Sequence, residues 1–199
     1  MQIFTPLLAP ETMRLAFWIS YWSWIAMEVW IFSRDLKKGS GERQDRGSIL
    51  AVIGGIGGGV TLAFWAPHLW PWATMALPRE ITLWSAVAMI WSGIVLRVWS
   101  VLTLGKHFRT AVRILDEHKL VTHGPYRFLR HPSYTGGLIT ITGVGLAFGN
   151  WISLAAAFFG ALLGYGLRIL VEEAALRGAF GEAYVAHAKR TWAVLPGVW

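Results

Sequence analysis

The stretch GPYRFLRHPSYTG, residues 124–136, is a dense polar cluster in a chain that is otherwise mostly apolar. It gathers tyrosine, arginine and histidine around two Gly/Pro bends, between two long apolar segments. Polar and ionisable groups beside a bilayer are costly unless they are solvated, paired or used. We therefore expect the functional site in this stretch, and membrane-spanning helices on either side of it.

The composition is that of an integral membrane protein. Of 199 residues, 55% are hydrophobic and 15% are charged, whereas a soluble domain carries about 25% charged residues. Thirteen tryptophans suit the aromatic belts of a membrane protein. The chain has no cysteine, which excludes disulfides, cysteine-ligated metal and a catalytic thiol.

Apolar runs long enough to cross a bilayer predict an all-α integral membrane fold with five transmembrane helices. The predicted spans are 13–33, 48–70, 81–104, 134–149 and 151–171. The first run is bulky and ends in a basic loop, so we interpret it as a retained span and not a cleaved signal peptide. Gly149-Asn150 predicts a tight turn and an antiparallel hairpin of the last two spans. We divide the chain into a three-span N-terminal membrane region, 1–104, and a catalytic region, 105–199.

The distribution of basic residues predicts the topology. The formal charge is +7, and most Lys and Arg fall in 34–46, 106–130 and 177–190, with only Arg14 and Arg79 on the opposite side. The positive-inside rule then places the N-terminus outside, and the C-terminus and the active site at the cytoplasmic face. Such flanking charges meet the lipid bilayer, so we expect no nucleic-acid partner.

Glycines within the spans predict close helix packing. The run 53–60 lacks the preceding strand that a phosphate-binding loop requires, so we interpret it as a packing surface. The glycines of the last two spans have the same interpretation: Gly136, Gly137, Gly143, Gly145, Gly160, Gly164 and Gly166. Residues 172–190 predict a cytoplasmic C-terminal helix, weakened near Gly178 and Gly181, that folds back on the basic segment.

Several ionisable residues can be explained without a metal site or a catalytic role. His107, His118, His123 and His131 are spaced by 11, 5 and 8 residues, which does not match a helical zinc site, so we expect no metal. Arg97 and Arg168 are expected to extend to the interface or, alternatively, to reach a cofactor pocket. Glu28 is expected to pair with a loop cation.

Four motifs together resemble the isoprenylcysteine carboxyl methyltransferase family. They are LVTHGPY at 120–126, RHPSYTG at 130–136, Glu172-Glu173 followed by FGEAY at 180–184, and the closing Leu195-Pro196. The resemblance covers roughly the last half of the chain. The wider group includes phospholipid N-methyltransferases, and a related motif occurs in membrane sterol reductases that use NADPH.

The resemblance implies an integral-membrane methyltransferase that uses S-adenosyl-L-methionine and a lipidic or prenylated acceptor. Transferred by position, the cofactor-binding residues are His123, Gly124, Tyr126, His131, Pro132, Tyr134, Glu172 and Tyr184. Arg130 and Glu173 are the catalytic candidates, with Arg130 for the acceptor carboxylate. A carboxylate is already ionised at neutral pH and needs orientation more than a base. His187, where the family often has tyrosine, and residues 191–194 depart from the family pattern.

The sequence leaves alternatives open. Arg130 could bind a lipid phosphate, and Glu172 or Glu173 could pair with Arg168 or Arg177 on the same helix. Phospholipid N-methylation, NADPH-dependent reduction and a non-enzymatic membrane assembly factor remain rival functions. The acceptor and the oligomeric state are not determined.

Overall fold

The regular structure of the chain is helical throughout its described parts. The computed structural model describes residues 10–36, 47–105 and 120–199. The helices are α1 (Glu11–Leu36), α2 (Ser48–Leu69), α3 (Arg79–Leu104), α4 (Pro132–Ala147), α5 (Trp151–Phe180) and α6 (Glu182–Ala188). Short 3-10 turns cover Pro71–Ala73 and Gly124–Arg127. The predicted basic residues of 37–46 and 106–119, with His107 and His118, lie outside the described residues.

Within residues 10–36, 47–105 and 120–199, four helices are long and apolar enough to cross a membrane, where the sequence predicted five spans. They are Glu11–Arg34, Ser48–Leu69, Arg79–Leu104 and Trp151–Phe180. The predicted fourth span begins earlier, at Pro132, and its helix has 16 residues. At 1.5 Å per residue this helix is about 24 Å long, shorter than a hydrocarbon core of about 30 Å.

Helix α4 occupies the centre of the bundle, which explains its short, glycine-rich sequence. It packs between α3 and α5, while α2 packs along α5 and α1 along α3. Twelve of its 16 residues are buried, so the helix contacts protein on most sides. Large apolar side chains of the four longer helices, such as Trp22 and Leu163, are exposed instead.

Glycines bring the helices together, although not always the pair that the sequence predicted. A Cβ on Gly136 would lie 2.7 Å from the Gly93 carbonyl oxygen, so α3 and α4 are in backbone contact there. Gly160 of α5 meets α2 in the same way, because its Cβ would lie 2.7 Å from Cα of Gly59. The predicted packing role of glycine is therefore confirmed at these positions, but Gly136 faces α3 and not its hairpin partner.

The turn between α4 and α5 confirms the predicted hairpin. Gly149 has a φ of 63°, a left-handed conformation that favours glycine. The Asn150 side chain accepts hydrogen bonds from the backbone N–H groups of Ile152 and Ser153, which caps the start of α5. Its amide also donates to the Trp70 carbonyl at 3.0 Å, which ties the turn to the end of α2.

The C-terminal segment returns to the motif as predicted. Helix α5 continues through Gly178 to Phe180, and Gly181, with a φ of 51°, separates it from α6. The chain then pairs with the motif: the Arg130 N–H donates to the Trp192 carbonyl at 2.8 Å, and the His131 N–H to the Ala193 carbonyl at 3.0 Å. The residues before α4 are thus held between α5 and the end of the chain.

Candidate functional site

Glycine and proline shape the backbone of the motif. Gly124 has a φ of 59° and opens a 3-10 turn with Pro125 at its start. Pro132 is the first residue of α4, a position where its missing N–H costs no helical hydrogen bond. Two bends therefore present the intervening side chains of Arg130 and His131 to α5.

Glu173 of α5 is the centre of a charge cluster. Its Oε1 accepts from Arg130 Nε at 2.7 Å and lies 3.4 Å from His131 Nε2. Its Oε2 accepts from Arg177 Nη2 at 3.1 Å, one turn along α5, which confirms the intrahelical pairing for this glutamate. The side chains of Arg130 and Glu173 are each only 13% exposed. A carboxylate held by two guanidinium groups stays ionised, because both partners favour the charged form.

Arg130 connects three parts of the chain. Besides Glu173, its Nη1 donates to the carbonyl oxygens of Ala188 and Thr191. Its Nη2 makes no hydrogen bond to the described residues. One face of the guanidinium thus fixes the C-terminal segment, while one nitrogen remains to bind another group.

Glu172 belongs to a second, neighbouring network. Its Oε2 accepts from the Tyr134 hydroxyl at 2.8 Å, and that hydroxyl accepts from Arg168 Nε at 2.8 Å. Arg168 also donates to the Ser48 hydroxyl at 3.0 Å. Arg168 is therefore buried against Tyr134 and Ser48, and its predicted contact with a cofactor stays a prediction.

An aromatic column supports both networks. The His131 ring stacks on Tyr134 with centroids 5.8 Å apart, and Tyr134 stacks on Tyr165 at 5.1 Å. Gly137 leaves the room that Tyr165 occupies, because a Cβ there would clash with the tyrosine hydroxyl. Tyr165 was not predicted, since an aromatic residue in an apolar run gives no signal of its own.

Tyr184 of α6 is buried beside the first network with its hydroxyl unsatisfied. It is 2% exposed, and its hydroxyl makes no hydrogen bond of acceptable geometry to the described residues. Burial, and then the Glu173 carboxylate, raise the pKa of Tyr184 above its usual value. The hydroxyl is therefore a protonated donor at neutral pH, and an unpaired buried donor is costly.

The other predicted cofactor residues, His123, Gly124 and Tyr126, lie in and just before the 3-10 turn, next to the end of α3. His123 is exposed, and Gly124 faces Thr103 near the end of α3. Tyr126 is buried, with its hydroxyl 3.4 Å from the Ser100 carbonyl oxygen. Burial, and then Glu172, raise the pKa of Tyr126. The structure thus brings together six predicted residues: Arg130, His131, Tyr134, Glu172, Glu173 and Tyr184. Pro132 follows His131 and begins α4.

Glu28 and Arg97 form a contact that the sequence did not predict. The Arg97 guanidinium binds both carboxylate oxygens of Glu28, at 2.7 and 2.8 Å. The expected pairing of Glu28 with a loop cation is therefore wrong. The rotation of α1 against α3 turns both side chains inward, and a buried charge is best neutralised by the nearest opposite charge.

One family model and several curated proteins are similar to this chain. The model described as phospholipid methyltransferase matches residues 81–183. A probable protein-S-isoprenylcysteine O-methyltransferase of Oryza sativa subsp. indica is 38% identical over 112 residues, which are 55% of this chain and 59% of that protein. Protein-S-isoprenylcysteine O-methyltransferase B of Arabidopsis thaliana is 38% identical over 114 residues, 56% of this chain and 58% of that protein. The chain thus spans less than two thirds of the length of these relatives.

A solved structure has the same fold. It is the eukaryotic intramembrane Ras methyltransferase, an isoprenylcysteine carboxyl methyltransferase, which superposes with a TM-score of 0.60 at 20% identity. The match covers 97% of this chain and 70% of that one.

Proposed function

Because the chain belongs to the phospholipid methyltransferase family, we propose that it is an integral-membrane methyltransferase that esterifies the carboxylate of an isoprenylcysteine-like acceptor. The observation that carries the proposal is the contact of two α5 carboxylates with the motif, Glu173 with Arg130 and Glu172 with Tyr134. The names of the relatives support the same chemistry.

The residues of the site fit S-adenosyl-L-methionine. When bound, this cofactor supplies an activated methyl group. The buried Tyr184 hydroxyl needs an acceptor, and Oε1 of Glu172 accepts no hydrogen bond from the described residues. These two groups can bind the polar parts of the cofactor. The His131 and Tyr134 rings offer flat aromatic surfaces, which attract cationic groups.

The remaining nitrogen of Arg130 suits a carboxylate acceptor. Arginine holds carboxylates in a fixed plane through charge-assisted hydrogen bonds. Nη2 is available for such a bond, while Glu173 and two carbonyls fix the guanidinium. Orienting an ionised nucleophile is the chief requirement of the reaction, since reacting atoms must approach to about 3 Å in line.

Methylation of a phospholipid amine is the second candidate, favoured by the description of the matching family model. That reaction must remove a proton from nitrogen. Glu173 already accepts from Arg130 and Arg177, which makes it a weak base. Glu172 would have to take that role.

We also propose five spans, with α4 as the fourth, the N-terminus outside and the site at the cytoplasmic face. The buried surroundings of α4 support this, because a helix enclosed by protein does not have to match the bilayer thickness. The charge distribution of the loops supports the orientation.

Binding of S-adenosylhomocysteine to the detergent-purified protein tests the cofactor assignment. We expect saturable binding by calorimetry, no binding of NADPH, and at least about tenfold weaker binding by His131→Ala, because His131 is buried in the stack with Tyr134. His68→Ala, an exposed histidine on α2, is the matched control. Binding of NADPH alone would support a reductase, and binding of neither compound to folded protein would support a non-enzymatic role.

Removal of the Tyr184 hydroxyl tests whether this residue contacts the cofactor. Tyr184→Phe is expected to weaken S-adenosylhomocysteine binding by about 5- to 10-fold, the value of one hydrogen bond of about 1 to 1.4 kcal/mol. The melting temperature of the ligand-free protein should change little, because the hydroxyl makes no hydrogen bond of acceptable geometry to the described residues. Tyr21→Phe in α1 is the control. Unchanged affinity in Tyr184→Phe would remove this residue from the site.

A further inference from the structure

An ion pair joins α1 to α3 deep in the helical bundle. The side chain of Arg97 is 11% exposed and that of Glu28 is 32% exposed. Arg97 Nη2 donates a hydrogen bond to Glu28 Oε2 at 2.8 Å, and Arg97 Nε lies 2.7 Å from Glu28 Oε1 as an ion-pair contact. Both residues lie inside candidate spans, about two turns from the ends of their helices. Ionisable residues are retained at such depths at a cost, and they commonly mark functional sites.

The other edge of Arg97 contacts the first turn of α4. Its Nη1 donates to the Ser133 carbonyl at 3.0 Å and to the Ser133 hydroxyl at 3.1 Å. Ser133 stands between Pro132 and Tyr134, and the Tyr134 hydroxyl binds Glu172. A displacement of Ser133 would therefore move the stacked rings of His131 and Tyr134 together.

The backbone around this contact is tightly packed. A Cβ on Gly136 would lie 2.8 Å from the backbone nitrogen of Arg97 and 2.7 Å from the Gly93 carbonyl oxygen. Helices α3 and α4 therefore meet without intervening side chains, about one turn from Ser133. The base of the Arg97 side chain is fixed relative to α4, and Glu28 fixes its tip.

We propose that Arg97 is a positioning residue for methyl transfer, and that Glu28 orients it. Arg97 sets the first turn of α4, and through it the rings of His131 and Tyr134. Helix α1 is then part of the scaffold of the site, in addition to being a membrane anchor. The inference rests on the proposed function, because the rings of His131 and Tyr134 are taken as part of the cofactor site.

If the ion pair is purely structural, its loss should affect stability and turnover differently. If the pair only holds α1 against α3, its loss lowers stability without changing turnover by the protein that remains folded. A positioning role instead lowers turnover in folded protein. It also makes the effects of Arg97 and Ser133 non-additive, because both substitutions remove the hydrogen bond from Arg97 Nη1 to the Ser133 hydroxyl, whereas Ser133→Ala keeps the bond to the Ser133 carbonyl.

A double-mutant cycle on Arg97→Lys and Ser133→Ala separates the two cases. Lysine keeps the charge for Glu28 but lacks the fork that reaches Glu28 and Ser133 together. At saturating S-adenosyl-L-methionine and S-farnesylcysteine, we expect kcat to fall by about 10- to 100-fold in Arg97→Lys, since small misplacements have effects of that size. Ser133→Ala should lose less, and the double variant should resemble Arg97→Lys alone.

Matched controls are available on the same helices. Arg34→Lys lies at the end of α1, where its guanidinium covers Trp30, and Ser92→Ala lies on the exposed side of α3. Neither should change kcat. Melting curves give the folded fraction of each variant.

Full kcat in folded Arg97→Lys, or effects that multiply in the double variant, would overturn the positioning role. If Arg97→Lys does not fold, Glu28→Gln replaces it, with Glu80→Gln as control. An unchanged kcat in Glu28→Gln would likewise overturn the positioning role. Wild-type protein that binds no S-adenosylhomocysteine would refute the proposed function itself, and this inference with it.

Discussion

Glu173→Gln is expected to lower kcat/KM for methyl transfer by at least about 100-fold, which corresponds to about 2.7 kcal/mol. Glutamine keeps the shape of the side chain but removes the charge that holds Arg130 and Arg177. Arg130 would then be a largely buried cation without its counterion, and breaking such pairs costs about 3–5 kcal/mol. The guanidinium would lose its orientation, and the C-terminal segment that it fixes would loosen.

Initial rates over a range of acceptor concentrations, in matched detergent, measure this effect. Glu182→Gln is the control, because Glu182 is an exposed residue at the start of α6. Arg177→Gln should cost less than about fivefold, since Arg177 is 61% exposed and exposed pairs contribute about 0–1 kcal/mol. If Glu173→Gln retained more than a fifth of the wild-type kcat/KM, Glu173 would not organise the site.

Gly93→Ala is expected to destabilise the protein by about 1–3 kcal/mol or more, the usual cost of overpacking. The added Cβ would lie 2.7 Å from the Thr140 backbone nitrogen and would clash with the Gly136 carbonyl oxygen. Backbone atoms cannot yield as a flexible side chain does, so α3 and α4 would have to separate. Because α4 starts in the motif, activity should fall together with stability.

The melting temperatures of the wild-type protein and the variant are compared by thermal unfolding in detergent, monitored by circular dichroism. Gly58→Ala in α2 is the control, because a Cβ there meets nothing within 4 Å. The control should melt at or above the wild-type temperature, since alanine is the better helix former. Equal melting temperatures for Gly93→Ala and Gly58→Ala would contradict the close contact of α3 with α4.

The positions of helices that consist of long apolar runs could be predicted from the sequence. The second and third spans agree with α2 and α3 within two residues at each end, because lipid imposes long apolar runs. The number of spans could not be predicted in the same way. Helix α4 is enclosed by α3 and α5, and its sequence therefore follows packing and not the thickness of the bilayer.

The site could be predicted only as far as its motifs are local or shared with the family. The predicted resemblance to isoprenylcysteine carboxyl methyltransferases is confirmed by the relatives and the matching fold. The roles of Arg130 and Glu173 in catalysis stay predictions. Their mutual contact was not predicted, because it joins positions 43 residues apart in the chain.

Contacts between distant helices carry no signal in a single sequence. Glu28 and Arg97 are separated by 69 residues, and only the rotation of α1 and α3 makes them partners. The bonds from Arg130 to Ala188 and Thr191 depend likewise on how the segment after Gly181 folds back. The pairing of Glu173 with Arg177 could be predicted because the two residues lie one turn apart on the same helix, whereas these distant partners could not.

Carboxyl methylation is tested by transfer of a labelled methyl group from S-adenosyl-L-methionine to S-farnesylcysteine. We expect a product whose label is released as methanol in mild base, because a carboxyl ester hydrolyses there and an N-methyl group does not. Membranes that contain phosphatidylethanolamine serve as the competing acceptor in the same assay. Base-stable label in the phospholipid, with none in farnesylcysteine, would contradict carboxyl methylation.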